Sequence, residues 1–398
     1  MRKVILAILN IINRLWSKGR TVIFNSFPDL EGSALALYRY IVNERCDICQ
    51  KYDLVWCVGT GGVDDAITAL RETDPSGRFR VVKKLSVKGI LTYFRACGII
   101  TTHNYITGLY TAKGQTHYHL AHGMPLIKGV GKAIQNKNIK DVFQGDVTLA
   151  NSRFFKENVS ALLDMPYDRI FVTGLPSDDD VLCPDNALNK LGINKHNYTK
   201  TVLWCPTYRR SDVGTLRDDG DMSAFGVSDV LGKYRSETEE ILKKENILLL
   251  IKFHPMDVLR NKDFPETENI RIINEDQLKA KGISFNQLMG DCDAFWTDYS
   301  SAYITFILTG RPCAFIIGDI EAYRKKRGFG VDDPIRYMPG EIISDHESLM
   351  RYIENMEETD IKHKAKYEEI RKLFHKYTDG RASERVCRLI FDGDRSYG

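Results

Sequence analysis

No stretch at the start of this chain is long and apolar enough to cross a bilayer. Residues 4–12 are apolar but broken at Asn10, far short of the roughly 20 residues a spanning helix needs. No small-residue cleavage site precedes the strand-like TVIFNSF, so a removed secretory leader is not expected. A disulfide framework is also missing. The nine cysteines, an odd number, sit mostly inside apolar stretches, with Cys57 in LVWCVG, Cys97 in FRACGII, Cys205 in VLWCPTY and Cys313 in RPCAFII. That is the setting of buried, reduced thiols in a cytosolic protein. Cys46 and Cys49 form one C-x-x-C, but no second pair or histidine pair stands at zinc spacing. Charge of either sign is nearly balanced at +3, and with no basic stripe or recognised module the chain is not expected to bind nucleic acid. Neither repeats nor low-complexity segments occur. What remains is the composition of a soluble globular protein, 43% apolar and 27% charged over 398 residues, long enough for about two domains.

Acidic residues are missing from the first twenty positions, where Arg2, Lys3, Arg14, Lys18 and Arg20 stand beside the apolar run. Lys3, Asn10, Arg14 and Ser17 recur at helical spacing and leave Ile5, Ile8, Leu9, Ile12, Leu15 and Trp16 on the broad remaining face. Two readings stay open: a basic amphipathic helix lying on a membrane surface, and a helix packed on its own protein.

Beyond residue 20, short β-branched runs alternate with amphipathic stretches. TVIFNSF precedes GSALALYRYIVNE, YDLVWCVG precedes VDDAITALRET, and FRVVKKL precedes VKGILTYFRAC. The pattern restarts with TVLWCPTY, SETEEILKKEN, ILLLIKFHP, DAFWTDYSS and PCAFII. Alternation of this kind predicts an α/β fold with parallel sheets, here as two Rossmann-like domains facing a central cleft. The expected division is a membrane-associating segment at 1–20, one domain at 21–185 and a second, with a terminal helix, at 198–398. The polar stretch RRSDVGTLRDDGDMSAFGV reads as a loop beside the cleft.

Ligands of doubly wound folds sit at the carboxyl ends of strands, so residues there are the candidates. Asp298, Ser300 and Ser301 follow DAFWT and open the helical SAYITFILTG, which stops at Gly310. A helix start with serine hydroxyls can hold a phosphate, and it can equally be plain capping. His122 follows the strand HYHL and is followed by Gly123 and Pro125; an imidazole there can serve as a general base. Lys252 and His254 end ILLLIKFHP, and Thr207, Tyr208, Arg209 and Arg210 end the preceding strand. Cations gathered with a helix start suit a diphosphate. The acidic runs SDDD and RDDGD offer oxygen ligands that magnesium would accept, though both read as solvated turns; no cofactor is certain, and Mg2+ is possible.

At this point the residues resemble a known family. HGMPLIK, VTLANSRFFKENVSALL, RIFVTGLPSDDDVL, WCPTYRR, IKFHP, WTDYSSAYITFILTGRPCAFI, DIEAYRKKRGF, PGEII and TDGRASERV follow the order of the CDP-glycerol glycerophosphotransferases, enzymes that build poly(glycerol phosphate) teichoic acids and similar capsule polymers. The resemblance implies a GT-B-like fold whose first half binds the acceptor and whose second half binds CDP-glycerol. It carries the HG-x-P histidine onto His122, with Gly123 and Pro125 beside it, and the H-P histidine onto His254. The D-Y-S-S segment falls on Asp298, Ser300 and Ser301, the P-T-[YW]-R motif on Thr207 and Arg209, and the R-G-F segment on Arg327 and Gly328. The closing motif puts Ser383 near the donor.

The mechanism it implies has an acceptor hydroxyl attack the phosphorus that carries glycerol while CMP leaves. His122 takes the proton, and His254, Lys252, Arg209 and the two serines steady the phosphate charge while Asp298 orients the set. One departure stands out: the family's G-x-P-R-N-D element here reads Gly174, Leu175, Pro176, Ser177, Asp178, Asp179, which implies either that the site lacks one cation there or that it accepts a different polyol or acceptor. The chain also lacks the large amino-terminal extension of many long polymerases, a length closer to priming enzymes. The expected partners are CDP-glycerol, a lipid-linked saccharide or polyol-phosphate acceptor and the inner membrane surface, with the protein peripheral on the cytoplasmic face. Alternatives are a transferase using CDP-ribitol or a nucleotide sugar, a nucleotide-sugar epimerase, and a membrane-binding protein without turnover.

Overall fold

A computed structural model describes the chain except residues 1, 60, 128–142, 209, 212–216, 219–220, 222, 255–256 and 258–263, and describes 210, 211, 217 and 218 by backbone alone. Two compact units result, one from Met1–Met124, Val142–Asp179 and Lys376–Gly398, the other from Pro125–Asp141 and Asp180–His375. The last twenty-odd residues thus group with the first unit, whereas sequence order alone keeps them with the second.

The first unit holds a seven-stranded sheet of β1 (Thr21–Asn25), β2 (Asp53–Val58), β3 (Arg80–Lys83), β4 (Ala96–Thr101), β5 (Thr116–His119), β6 (Val147–Ala150) and β7 (Ile170–Val172). Its order is β3-β2-β1-β4-β5-β6-β7, and every pairing is parallel. In the second unit β8 (Lys200–Cys205), β11 (Ile247–Ile251), β12 (Ile270–Ile272), β13 (Ala294–Thr297), β14 (Cys313–Ile316) and β15 (Glu341–Ile343) stand in the order β12-β11-β8-β13-β14-β15. A two-residue antiparallel ribbon, β9 (Arg210–Ser211) with β10 (Arg217–Asp218), is the part of the long polar stretch that the structure describes as paired. The apolar runs that mark the strands are buried along their length in β1 and β11, because crossover helices cover both faces of a parallel sheet. Trp204 and Trp296 meet edge to face at 6.1 Å in the second core.

In both sheets chain order reverses direction beside the first strand, at β1/β4 and at β8/β13. Such switch points leave a crevice at the carboxyl ends of the strands, where loops diverge to opposite faces.

The amino-terminal helix α1 (Arg2–Leu15) divides its apolar residues between two sides. Leu6, Leu9 and Ile12, with Trp16 just beyond, pack against a core of Tyr93, Phe94, Tyr105 and Leu109. Asn10, which the spacing assigns to the wet face, turns inward: its Nδ2 donates to the Gly108 carbonyl at 2.8 Å and its Oδ1 accepts the Tyr110 N–H at 2.8 Å. Asn13 is fully buried and donates to Gln115 Oε1 at 2.8 Å. Two asparagines paired to irregular backbone explain why the simple polar/apolar division misplaces this face. Val4, Ile8, Ile11 and Leu15, at helical spacing, remain 62%, 52%, 57% and 83% exposed.

Candidate active site

The candidate residues fall in both units, and each unit builds its share at its own switch point. In the first, β1 runs into the buried Asn25, whose Nδ2 donates to the Cys57 carbonyl at 2.7 Å, and then into Ser26 and a cis Phe27–Pro28 bond. Asp29 accepts the N–H of Gly59 at 2.9 Å and of Gly61 at 2.8 Å, tying the loop after β1 to the loop after β2. The Phe27 N–H reaches Thr102 Oγ1, at the end of β4, at 3.4 Å.

His122 lies just past β5 on a turn held by unusual backbone. Ala121 has φ +59° and Gly123 φ +149°, a region that L side chains avoid and glycine tolerates. The Ala121 N–H donates to His119 Nδ1 at 3.2 Å, so a buried histidine of the strand fixes the turn that presents His122 to solvent. The His122 ring lies on the His103 ring, centroids 4.1 Å apart and planes 14° from parallel. His103 follows the end of β4 as His122 follows the end of the neighbouring β5. The segment GIITTH marks it in the sequence, yet a histidine at one strand end does not by itself announce a stacked neighbour from another.

The histidines behind this turn are buried and neutral. His117 Nε2 bonds Thr101 Oγ1 at 2.8 Å, and burial pushes its pKa down to about 4. Burial likewise holds His119 well below its ordinary value, with His117, His122 and His103 adding to the effect. In the second unit His375 donates toward the Ile304 carbonyl at 2.6 Å, and burial brings it to about 4. Unfolded histidines titrate near 6.5, so between that pH and about 4 the unfolded chain binds more protons. Stability is therefore full above pH 6.5 and falls as pH drops toward 4, each group contributing a slope that approaches about 1.4 kcal/mol per pH unit. Urea midpoints at pH 7.5, 6.0 and 5.0 should decline in that order; a flat series would mean these rings accept protons in the native fold.

The closing segment of the chain completes this unit. Asp179 accepts the N–H groups of Ala382 and Ser383, both at 2.8 Å, and burial raises its pKa. Arg385 donates to the Thr173 carbonyl at 2.8 Å, grips Asp379 through NH1 at 2.9 Å and lies over the Tyr377 ring at 4.0 Å. A Cβ at Gly174, where φ is +77°, would stand 3.2 Å from the Ala382 Cβ, so glycine permits this close approach. The aspartate that ends the altered G-x-P element thus anchors the closing motif, a pairing that sequence distance hides. Ser383 is buried in the first unit, its hydroxyl 3.5 Å from the Pro176 carbonyl. In SDDD, Asp178 accepts from Asn151 at 2.9 Å and Asp180 from Ser284 at 2.8 Å. Each carboxylate thus serves a different neighbour. Among the described residues no three His, Cys, Asp or Glu side chains converge as a metal site; RDDGD lies partly outside the described residues.

In the second unit Asp298, only 3% exposed, bridges β13 to β8. Its carboxylate accepts the Thr207 N–H at 3.0 Å, the Thr207 hydroxyl at 2.8 Å and the Tyr299 N–H at 2.6 Å. Tyr299 donates to Asp319 at 2.9 Å and opens a stack with Tyr323, 4.0 Å away, that continues to Phe329. In the chain, Arg327 and the left-handed Gly328 fall between Tyr323 and Phe329, with Arg327 buried to 6% exposure. A pocket at these strand ends is lined by Thr207, Phe225, Asp257, Asp298 and Asp319 among others.

His254 and Tyr208 rings meet at 5.1 Å. Lys252 is buried and pairs with Glu275 at 2.9 Å, so holding a phosphate would require loosening that pair. Glu275 is a partner that motif reading gives no reason to select. Ser300 Oγ accepts the Ala302 N–H at 3.3 Å, and the helix behind it is short, Ala302–Phe306 followed by a 3-10 turn to Thr309. The capping reading of that serine is thus realised in part. Pro125 begins the segment that groups with the second unit, where the Gly330 N–H donates to the Ile127 carbonyl at 3.1 Å. Arg209 lies outside the described residues.

Two parallel-sheet units with residues gathered at their switch points define a GT-B-like α/β protein. The chain belongs to the CDP-Glycerol:Poly(glycerophosphate) glycerophosphotransferase family, whose sequence model matches residues 7–392. It is 25% identical over 337 residues to the teichoic acid glycerol-phosphate transferase of Staphylococcus aureus, covering 78% of this chain and 80% of that one. It is 24% identical over 394 residues to the teichoic acid ribitol-phosphate polymerase TarL of the same species, covering 94% of this chain but 63% of that one. Among solved structures, the wall teichoic acid polymerase TagF superposes with a TM-score of 0.74 at 20% identity, over 98% of this chain and 97% of that one. The protein is a member of a family of teichoic acid phosphotransferases.

Proposed function

We propose that the protein transfers glycerol phosphate from CDP-glycerol to a hydroxyl of a membrane-linked saccharide or poly(glycerol phosphate) acceptor, releasing CMP. The observation that carries this reading is the family match over residues 7–392. The acceptor oxygen forms a bond to the phosphorus that carries glycerol, and the bond from that phosphorus to the CMP oxygen breaks. The hydroxyl proton passes to His122 as general base. His254, Arg209, Ser300 and Ser301, with Thr207 and Arg327 nearby in the motifs, steady the charge on the transferred and leaving phosphates, since positioning and electrostatics dominate phosphoryl transfer. Asp298 orients the Thr207 segment, and Lys252 contributes from its pair with Glu275. The ribitol-phosphate relative supports a second reading, CDP-ribitol as donor. CMP release should be measured with each donor in parallel on a lipid-linked disaccharide acceptor. Faster release from CDP-glycerol supports the first reading, and release from CDP-ribitol alone replaces it with the second.

The same reading places the protein peripherally on the cytoplasmic face of the cell membrane, in teichoic acid or capsule synthesis. Among the described residues no helix is long and apolar enough to cross a membrane. The outward stripe of α1 supports a surface attachment, together with Leu85 and Val87, which are 74% and 77% exposed, and Tyr110 at 65%. Arg2, Lys3 and Arg14 stand on the same helix, which carries no Asp or Glu, so the stripe suits anionic lipid. Deleting α1 would expose the core under Leu6, Leu9 and Ile12 and would confound the test. Ile8→Glu with Ile11→Glu alters only the outward stripe. The double variant should lose sedimentation with anionic liposomes while keeping the parent's melting temperature; unchanged sedimentation would sink the attachment.

A further inference from the structure

The stacked histidine pair carries an inference that rests on His122 being the base. We propose that His103 is a positioning residue, a neutral aromatic platform that fixes the His122 ring and stabilises the imidazolium formed when His122 takes the acceptor proton. Ring centroids 4.1 Å apart and planes within 14° put one π face against the other. A cation over such a face gains attraction that the neutral ring does not. The gain therefore grows as the proton moves, which is the kind of interaction that accelerates a step.

The environment of His103 keeps it the uncharged member. Its Nδ1 bonds Thr102 Oγ1 at 3.1 Å. That oxygen already accepts the Phe27 N–H at 3.4 Å, so its hydrogen is available to point at Nδ1. The Phe27 ring also meets His103 edge on, at 5.7 Å. Burial pushes His103 down to about 3, with the charges of His122 and Lys84 acting in the same direction. Among the described residues, the titratable groups that act on this pair include His119, held neutral by burial, and Lys84, whose ammonium repels a proton on His103. His103 thus stays uncharged and keeps an intact π face against the exposed His122.

The test compares the parent with His103→Leu, which removes the aromatic face, and His103→Phe, which keeps it without titratable nitrogens. Two readings are taken on the full chain. The first is the pKa of His122 from the 13Cε1 resonances of histidine-labelled protein, assigned with His122→Asn; it needs no turnover. The second is the pH profile of kcat for CMP release. Removing the platform destabilises the imidazolium, so His103→Leu should lower the His122 pKa and move the acid limb of the profile by about one unit to lower pH. The plateau kcat should fall by about three- to tenfold with KM for donor unchanged. His103→Phe should restore both to near the parent. An unchanged His122 pKa in folded His103→Leu, or equal loss in the Phe variant, overturns the platform and leaves the general base untouched. Full turnover in His122→Asn would instead overturn the assignment of the base itself.

Discussion

Replacing His122 with alanine should lower acceptor-dependent CMP release by about 100- to 10,000-fold, the usual weight of a positioned general base. The physical ground is the turn itself. Ala121 and Gly123 hold positive φ angles of 59° and 149°, and His119 takes the Ala121 N–H. Backbone strain of this kind persists where the surroundings over-determine it, and it delivers one side chain to one place. Because His122 is exposed, the alanine variant should melt with the parent. A loss of rate with unchanged melting and unchanged donor KM identifies a chemical role. Equal loss of KM and melting temperature would mean that the histidine serves the fold.

Asp298 should behave in the opposite way. Its carboxylate takes three donors from the loops after two strands, and in Asp298→Ala the Thr207 N–H, the Thr207 hydroxyl and the Tyr299 N–H lose that acceptor together. Buried donors left without partners cost about 1–3 kcal/mol each, so the second unit should lose roughly 3–5 kcal/mol, discounted for relaxation and non-additivity. Asp298→Asn retains an acceptor oxygen but aims an amide N–H2 at the remaining donors, and should lie between. Urea midpoints of the three proteins give the ranking. Activity should fall with stability in both variants, since displacing Thr207 disturbs the strand ends that frame the pocket. A fully stable, inactive Asp298→Ala would instead assign the carboxylate a direct part in the reaction.

Much of the second unit was readable because its signals are local. ILLLI and AFWT are buried strands, and the residues immediately after each strand fall at the carboxyl edge by chain direction alone. The same logic locates His122 after β5. It does not show which side chains meet there, since Asp298 and Thr207 are separated by 91 residues and neighbouring strands are not consecutive in the chain. Lys252 illustrates the consequence. Its place at the end of β11 follows from the sequence, but its pairing with Glu275 depends on how the next helix packs.

The alternating pattern by itself determined that this is a two-sheet α/β chain, and the motif order determined its family, because strand periodicity and strand-end chemistry are written in short contiguous stretches. Tertiary structure alone decided three further matters. It turned Asn10 and Asn13 inward against backbone groups from residues 108–115, leaving a second apolar stripe outside. It brought the closing helix back to Asp179. It also laid His103 on His122. Each depends on contacts between segments far apart in the chain, whose partners are chosen by packing and by the need to satisfy buried polar groups, and no local period records that choice.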